Sequence, residues 1–469
     1  MITSPPMSRR SFALAAGFSL GARSASPNPA IEPGEPLFLL ERSTVEDIWA
    51  LARRVHPLVK SSRNPLIVKD REWEGSGPYL YGSVLFDPAD RLFKCWYTVY
   101  RNHEYRNRLP GSYVTCYATS RDGFAWEKPA LGVQQWKGSK QNNLIRLGRK
   151  YVGSITVILT PPGAGVRQRF IACYLDSPGV CLAFSDDGVT WTEHPGNPVD
   201  PRHSDTHNSI VWDPWRRRWL IHHRAGLHAG PSNRRIAVVE SQDLRAWKRP
   251  EVVLQPDEAD FPGFYGMPVF RRGNLFFGLL EIYNHPRGSI EIELAFSADG
   301  YLWERVPPRD LFLPRGAPGA WDGGMVVTAS EPVVFGGQMR LYYGGWRVDH
   351  NQEMPDGVPL AAIGLAAVPQ DRFFGLHTAG DEPGVLLTRP LELRARALEV
   401  NAAIEGEFRL ALLGVEGKEL PGFGFSAMKP VRGDALRQRV HWTAKELPRQ
   451  PVRLKAEWTR GALYAIYGV

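Results

Sequence analysis

Long apolar runs are missing from this chain. No segment reaches the roughly 18 uninterrupted apolar residues that a membrane-crossing helix needs. Cysteine is scarce, with 4 in 469 residues, at positions 95, 116, 173 and 181. None shows a Cys-x-x-Cys spacing, which argues against a zinc site. Cys173 and Cys181 flank the turn from Asp176 to Gly179, and Cys95 and Cys116 fall on strands of one candidate unit. Each pair could be bridged or stay as buried thiols, and the spacing does not choose. The sequence also lacks a sustained basic stripe. Its net charge is +8, and its densest runs, Arg216 to Arg218, Arg234-Arg235 and Arg271-Arg272, are short and separate. Without base-stacking aromatics along such a stripe, nucleic acid is not expected as a partner. A solvated surface or mild attraction to acidic glycans accounts for the charge better. No His-Glu-x-x-His occurs. His203, His207, His222, His223 and His228 spread over a loop, a strand and a second loop, so no histidine metal site and no cofactor is expected.

What the chain does have is a phrase written four times. It reads Ser120-Arg-Asp-Gly-Phe-Ala-Trp126, Ser185-Asp-Asp-Gly-Val-Thr-Trp191, Ser241-Gln-Asp-Leu-Arg-Ala-Trp247 and Ser297-Ala-Asp-Gly-Tyr-Leu-Trp303, at intervals of 65, 56 and 56 residues. Recurrence at that spacing implies stacked copies of one supersecondary unit. Asp-Gly favours a tight turn, Ser and Asp can hold its backbone, and the Trp can cover a neighbouring unit. The phrase therefore reads as architecture, not chemistry.

A second phrase precedes the first. Ser83 to Pro88 with Leu92 to Tyr97 is a strand, an Asp-Pro turn and another strand, and Ser209 to Pro214 with Trp219 to His223 copies it. Looser versions begin at Ser154, Pro268 and Pro332, making five hairpins, each followed by a third strand. The 46 glycines, 39 prolines and 15 tryptophans suit many short strands joined by turns. The expected fold is all-β: a five-bladed β-propeller over 36–375 followed by a small β-sandwich over 376–469. Leu37 to Leu40 could supply the strand that closes the ring, and Thr44 to Arg54 could be a short amphipathic helix.

The first 30 residues form a different kind of segment. Ser8-Arg9-Arg10-Ser11-Phe12 precedes a weakly apolar run from Ala13 to Leu20 and then small residues. This resembles a twin-arginine export signal, so a periplasmic or secreted protein without a membrane span is expected. A five-bladed propeller followed by a C-terminal β-sandwich resembles the glycoside hydrolase family 32 arrangement, and the blade phrases also resemble families 43 and 130 and the sialidases. A group of exported bacterial family 32-like proteins is closer still: its recurring phrases resemble Asn64-Pro65 with Trp73-Glu74, Tyr81-Gly-Ser-Val84, Asp205-Thr-His-Asn208, Tyr265-Gly-Met-Pro268, Trp321-Asp-Gly-Gly-Met325 and Leu341-Tyr-Tyr-Gly-Gly345. The resemblance implies a propeller with a C-terminal β-sandwich and a carbohydrate substrate. The chain departs from it in lacking the family 32 nucleophile, Arg-Asp-Pro and Glu-Cys phrases, and in having no carboxylate at the start of blade two. Family 32 catalytic residues therefore do not carry over, and fructoside hydrolysis is not implied.

Residues just before each innermost strand should converge on the mouth of the central funnel. Those positions hold Trp73 and Glu74, then His203, Asp205 and His207, then Glu258, Asp260 and Tyr265, then Trp321 and Asp322. Acidic groups among aromatics suit a sugar, with carboxylates for acid–base work and rings for packing. Asp205 and Asp322 are the leading catalytic pair, with Glu74 third. Trp73, His207, Arg224, Asp260, Tyr265, Glu281 and Trp321 are expected to bind substrate. Glu281 sits on an apolar strand and needs a partner, for which Arg224 is a candidate. Each has a plain alternative: a turn cap for Asp205 and Asp322, an outward carboxylate at Glu72 or Glu74, a solvated loop for Asp260. The expectation is a glycosidase acting on an oligosaccharide or polysaccharide. A glycan-binding propeller without chemistry and a structural or protein-interaction propeller are the alternatives, and calcium at the mouth stays open.

Overall fold

A computed structural model describes residues 29–469 except 110, 149–151, 177–178, 203, 225–233 and 262. The twin-arginine phrase, His203 and His228 lie outside the described residues. The chain is all-β, with five blades around an axis and a further C-terminal sheet. Blade one holds Pro78–Asp87, Leu92–Tyr100 and Tyr113–Ser120, with a bridge to Glu127 at its outer edge. Blade two runs from Ile155–Leu159 to Thr192–Glu193, and blade three from Ser209–Asp213 to Glu251–Leu254. Blade four starts at Val269–Arg272, and blade five at Met325–Thr328. Strands within a blade pair antiparallel in sequence order, as hairpins with tight turns dictate. No helix among the described residues is long and apolar enough to cross a membrane.

The four Ser-x-Asp phrases form the expected turns. In the first, Asp122 Oδ1 accepts the backbone N–H groups of Phe124 and Ala125 at 2.7 and 2.8 Å, while Ser120 Oγ accepts that of Gly123. The other copies repeat this around Asp187, Asp243 and Asp299. The turn also latches one blade to its predecessor. Tyr342 Oη donates to Gly123 O at 2.9 Å, Trp96 Nε1 to Gly188 O at 2.7 Å, and His222 Nε2 to Gly300 O at 2.8 Å. These three glycines have φ near +80° and would drive a Cβ into the partner's side chain or its neighbour. The third copy has Leu244 in the glycine's place, packed with Cys173, which holds the donor's position on blade two. The Trp of each latched copy then packs edge-on against the same donor ring, as Trp126 does on Tyr342.

Near the axis, hydroxyls stitch the innermost strands. Ser83 Oγ accepts from Val157 N of blade two at 2.7 Å and meets Ser330 Oγ of blade five at 2.6 Å. Ser154 Oγ donates to Thr206 O at 2.7 Å, and Ser209 Oγ bonds both backbone groups of Val269. Small polar side chains there let the strand ends converge without leaving backbone groups unpaired.

The ring closes differently from the expectation. The outermost strand of blade five is Val59–Lys60, paired to Ala366 and Ala367. Leu37 to Leu40 instead lies between the propeller and the C-terminal sheet: Leu37 and Leu39 enter the core of the sheet, and Phe38 and Leu40 a cluster with blades four and five. Burial on both faces gives a continuous apolar run, which by itself cannot distinguish the two positions. Thr44 to Arg54 is not a helix but two strands, Val45–Trp49 and Leu51–Val55, turned at Ala50. They form the two ends of a nine-stranded sheet built mostly from Phe374 onward. Because its end strands are consecutive in the chain, this sheet curls nearly into a barrel, where the sequence suggested a sandwich of two sheets. The 16-residue strand Leu398–Leu413 spans it, pairing Gly461–Gly468 with its first half and Arg453–Trp458 with its second.

Candidate functional site at the axial mouth

Two of the three expected catalytic carboxylates turn out to be copies of one packing device. Glu74 is fully buried, and its Oε1 accepts from Tyr97 Oη at 2.7 Å and Lys128 Nζ at 2.6 Å. Its Oε2 accepts the backbone N–H groups of Asp70 and Arg71. In blade five, Asp322 Oδ2 accepts from Lys60 Nζ at 2.7 Å and Tyr343 Oη at 2.9 Å. Tyr97 and Tyr343 hold the same place on the second strand, and the two lysines the same place at the outer edge. The preceding tryptophans match as well: Trp73 Nε1 donates to Asn143, and Trp321 stacks on Tyr343 at 5.4 Å. An outer-edge lysine and a second-strand tyrosine draw each acid into its own blade, so Glu74, Asp322, Trp73 and Trp321 do not line the mouth. Asp260 is likewise committed elsewhere, 2.6 Å from Arg305, which also binds Glu293 on blade four.

The mouth itself is a cavity of about 450 Å³. Tyr79 and Tyr81 enter it from the first strand of blade one, Tyr265 from the approach to blade four, and Trp346 from blade five. Rings 79 and 81 share a face because strand side chains alternate. Asp205 lines the wall with its side chain half-exposed. Arg224 donates to the carbonyls of Asp205 and Tyr265, and its Nη2 stands 3.9 Å from the Asp205 carboxylate. Tyr265 Oη pairs with His350 Nε2 at 2.9 Å, and Tyr283 Oη lies 3.2 Å from the other ring nitrogen. Burial, with Arg234 nearby, lowers His350 to about 4, so the ring is neutral at pH 7. Burial and then Asp205 raise Tyr265 to about 12.

Glu281 and His207 sit just behind this wall, both fully buried. His207 Nδ1 is 3.3 Å from Glu281 Oε1, and the His207 ring packs on Tyr81 at 4.8 Å. The partner expected for Glu281 was Arg224; the structure supplies His207. Glu281 Oε2 and His207 Nε2 have no hydrogen-bond partner among the described residues. Gly266 leaves the room for this: a Cβ there would lie 2.6 Å from Glu281 Oε2 and 2.2 Å from Thr206 Oγ1. His222 is a blade latch, and His223 stands 3.3 Å from Asp200, so neither faces the mouth. Among the described residues no group of three His, Cys, Asp or Glu side chains is placed to hold a metal.

Of the expected site, then, Asp205 and Tyr265 line the cavity, Arg224 braces it, and His207 and Glu281 support it from behind. Tyr79, Tyr81, Trp346, His350, Arg234 and Glu353 were not anticipated. The alternation of Tyr79 and Tyr81 on an innermost strand was a readable signal for two of them. Glu353 reaches the cavity from the loop between the second and third strands of blade five and pairs with Arg106.

No family model matches the sequence, and a search of curated proteins finds no match. Solved structures do resemble it. A putative glycoside hydrolase from Bacteroides ovatus is 15% identical, with 67% of this chain and 97% of that one covered and a TM-score of 0.45. A family-130 structure, described as a hydrolase targeting β-1,2 mannosidic linkages in Candida mannan, is 15% identical over 68% and 95%, with a TM-score of 0.45. A fructofuranosidase from Schwanniomyces occidentalis is 11% identical over 88% and 96%, with a TM-score of 0.43. The likeness is one of fold, and it is distant.

Proposed function

We propose that this chain is a carbohydrate-active protein that takes a glycan into the axial mouth and hydrolyses a glycosidic bond there. The observation that carries this reading is the cavity itself, walled by Tyr79, Tyr81, Tyr265 and Trp346 with the Asp205 carboxylate at its side. Aromatic faces pack against the C–H faces of sugar rings, while hydroxyls, amides and carboxylates meet the sugar hydroxyls. Hydrolysis needs two carboxyl groups, one to protonate the leaving oxygen and one to activate water or attack the anomeric carbon. Among the described residues, Asp205 and Glu353 are the carboxylates that line the cavity, from the approach to blade three and from the loop between the second and third strands of blade five. Export through the twin-arginine route would set this mouth against glycans outside the cytoplasm.

The test is a glycan panel with wild type, Asp205→Asn and Glu353→Gln. Loss of a general acid or base lowers turnover by about 100-fold or more while binding persists. One observation favours a second reading, glycan binding without chemistry: Glu74 and Asp322 are tied up in blade packing, and Arg106 occupies Glu353. Binding with no product release from the wild type would select that reading. Equal release by all three proteins would remove both carboxylates from the mechanism.

A further inference from the structure

The charged side chains at the mouth differ in how they are partnered. Glu353 pairs with Arg106, and Asp205 faces Arg224. His350 is neutral. Arg234 lines the same cavity and has no carboxylate within ion-pair distance among the described residues. Its guanidinium lies over the rings of Tyr265 and Tyr283, at 5.1 and 5.0 Å from their centroids. Its Nη1 is buried and has no hydrogen-bond partner among the described residues. The two rings hold the cation in place but accept no strong N–H bond. A buried donor is costly to leave unmade, more so on a charged group, so an acceptor brought into the cavity is favoured at this atom.

We propose that Arg234 is a specificity residue for an anionic sugar, binding the carboxylate or sulfate group of the glycan that enters the mouth. This rests on the reading of the mouth as a glycan site and adds the class of sugar. A guanidinium presents a planar fork of donors that matches a carboxylate or sulfate edge, and a partly desolvated setting strengthens the bond. The aromatic rings around it fix the plane of the fork, so little order has to be imposed on binding. The chain's net charge of +8 acts in the same direction, drawing acidic polymers toward the surface.

Binding is measured by calorimetry on the whole protein with two pairs of probes: hexuronate oligosaccharides against their neutral methyl esters, and 6-sulfated neutral oligosaccharides against the same sugars without sulfate. The acid form of at least one hexuronate, or a sulfated oligosaccharide, should bind about 10- to 100-fold more tightly than its uncharged counterpart. Whichever anion binds names the source. The preference should weaken with added salt. Arg234→Gln should remove the preference, costing the anionic probe far more affinity than its uncharged counterpart, while Arg234→Lys, which keeps charge but loses the fork, should restore part of it. If Arg234→Gln fails to fold, Arg234→Lys carries the comparison: a reduced preference for the anion supports the role of Arg234, and an unchanged preference overturns it. Equal affinity for charged and neutral probes, or an equal loss of both in a folded Arg234→Gln, overturns the role of Arg234 and leaves a glycan site standing. Failure of every oligosaccharide, charged or neutral, overturns the glycan site itself.

Discussion

Removing Asp322 should weaken the protein without touching its chemistry, and the partners predict by how much. Asp322 is 4% exposed and Lys60 25% exposed, with 2.7 Å between their charged atoms. Lys60→Met strands a buried carboxylate with only Tyr343 to donate to it, a situation that costs about 3–5 kcal/mol. Asp322→Asn leaves a lysine that can swing into water and an amide oxygen that Tyr343 can still reach. Its cost should be smaller, about 1–3 kcal/mol. The double variant should be more stable than the sum of the single effects predicts, by about 1 kcal/mol or more, because each change removes the other's reason to be costly. Denaturant midpoints for the four proteins give these numbers, and product release from the same preparations gives the activity. Glu74→Gln and Lys128→Met should reproduce the pattern in blade one. An Asp322→Asn protein with unchanged midpoint and abolished turnover would refute the reasoning and return Asp322 to the active site.

Two further outcomes are expected. Burial raises the Glu331 carboxyl to about 7, above its ordinary range near 4.5. The native state then holds a proton that the unfolded state releases, so stability is greatest below pH 4.5 and falls as pH rises toward 7. Some solvent contact remains at this residue, which limits the effect to about 1–2 kcal/mol. Glu331→Gln should match wild type at pH 4.5 and exceed it by that amount at pH 8; a pH-independent difference between the two would contradict it. The four cysteines are buried and none is in a disulfide. A thiol reagent should therefore label almost nothing in the native protein and all 4 after denaturation. Rapid labelling of the native state would contradict the packing of Cys95 and Cys116 in blade one.

The blades were legible because their signals are local. A Ser, an Asp two residues on and a Trp four beyond that make a turn whose bonds all fall within a few residues, so the phrase survives without knowledge of the fold. The mouth was only half legible for the opposite reason. Glu74 and Asp322 precede innermost strands as site residues should, yet Lys128 and Lys60 reach them from 54 and 262 residues away in the chain. No spacing rule reveals those partners. Their repetition was visible, however: Trp73-Glu74 and Trp321-Asp322 are the same pair written twice, and repeated pairs belong to the scaffold as the repeated turns do. Asp205, Tyr265 and Glu281 have no such copies. His350 and Arg234 come from segments outside the blade phrases, where nothing in the pattern marks them.

The latches between blades are not spread evenly round the ring. They join blades five, one and two into one arc and blades three and four into another. At the boundary of blades two and three, Cys173 and Leu244 share one apolar cluster without the bond, and blade four offers Leu279 where blades one, three and five offer a donor. Tyr79, Tyr81 and Trp346 stand on the first arc, while Asp205, Arg234 and Tyr265 stand on or at the approaches to the second. The cavity therefore straddles the two latched arcs, which His350 of blade five already bridges through Tyr265 and Tyr283. A ligand that grips the rings of one arc and the guanidinium of the other would add to that bridge, tightening the wheel as it fills the hub.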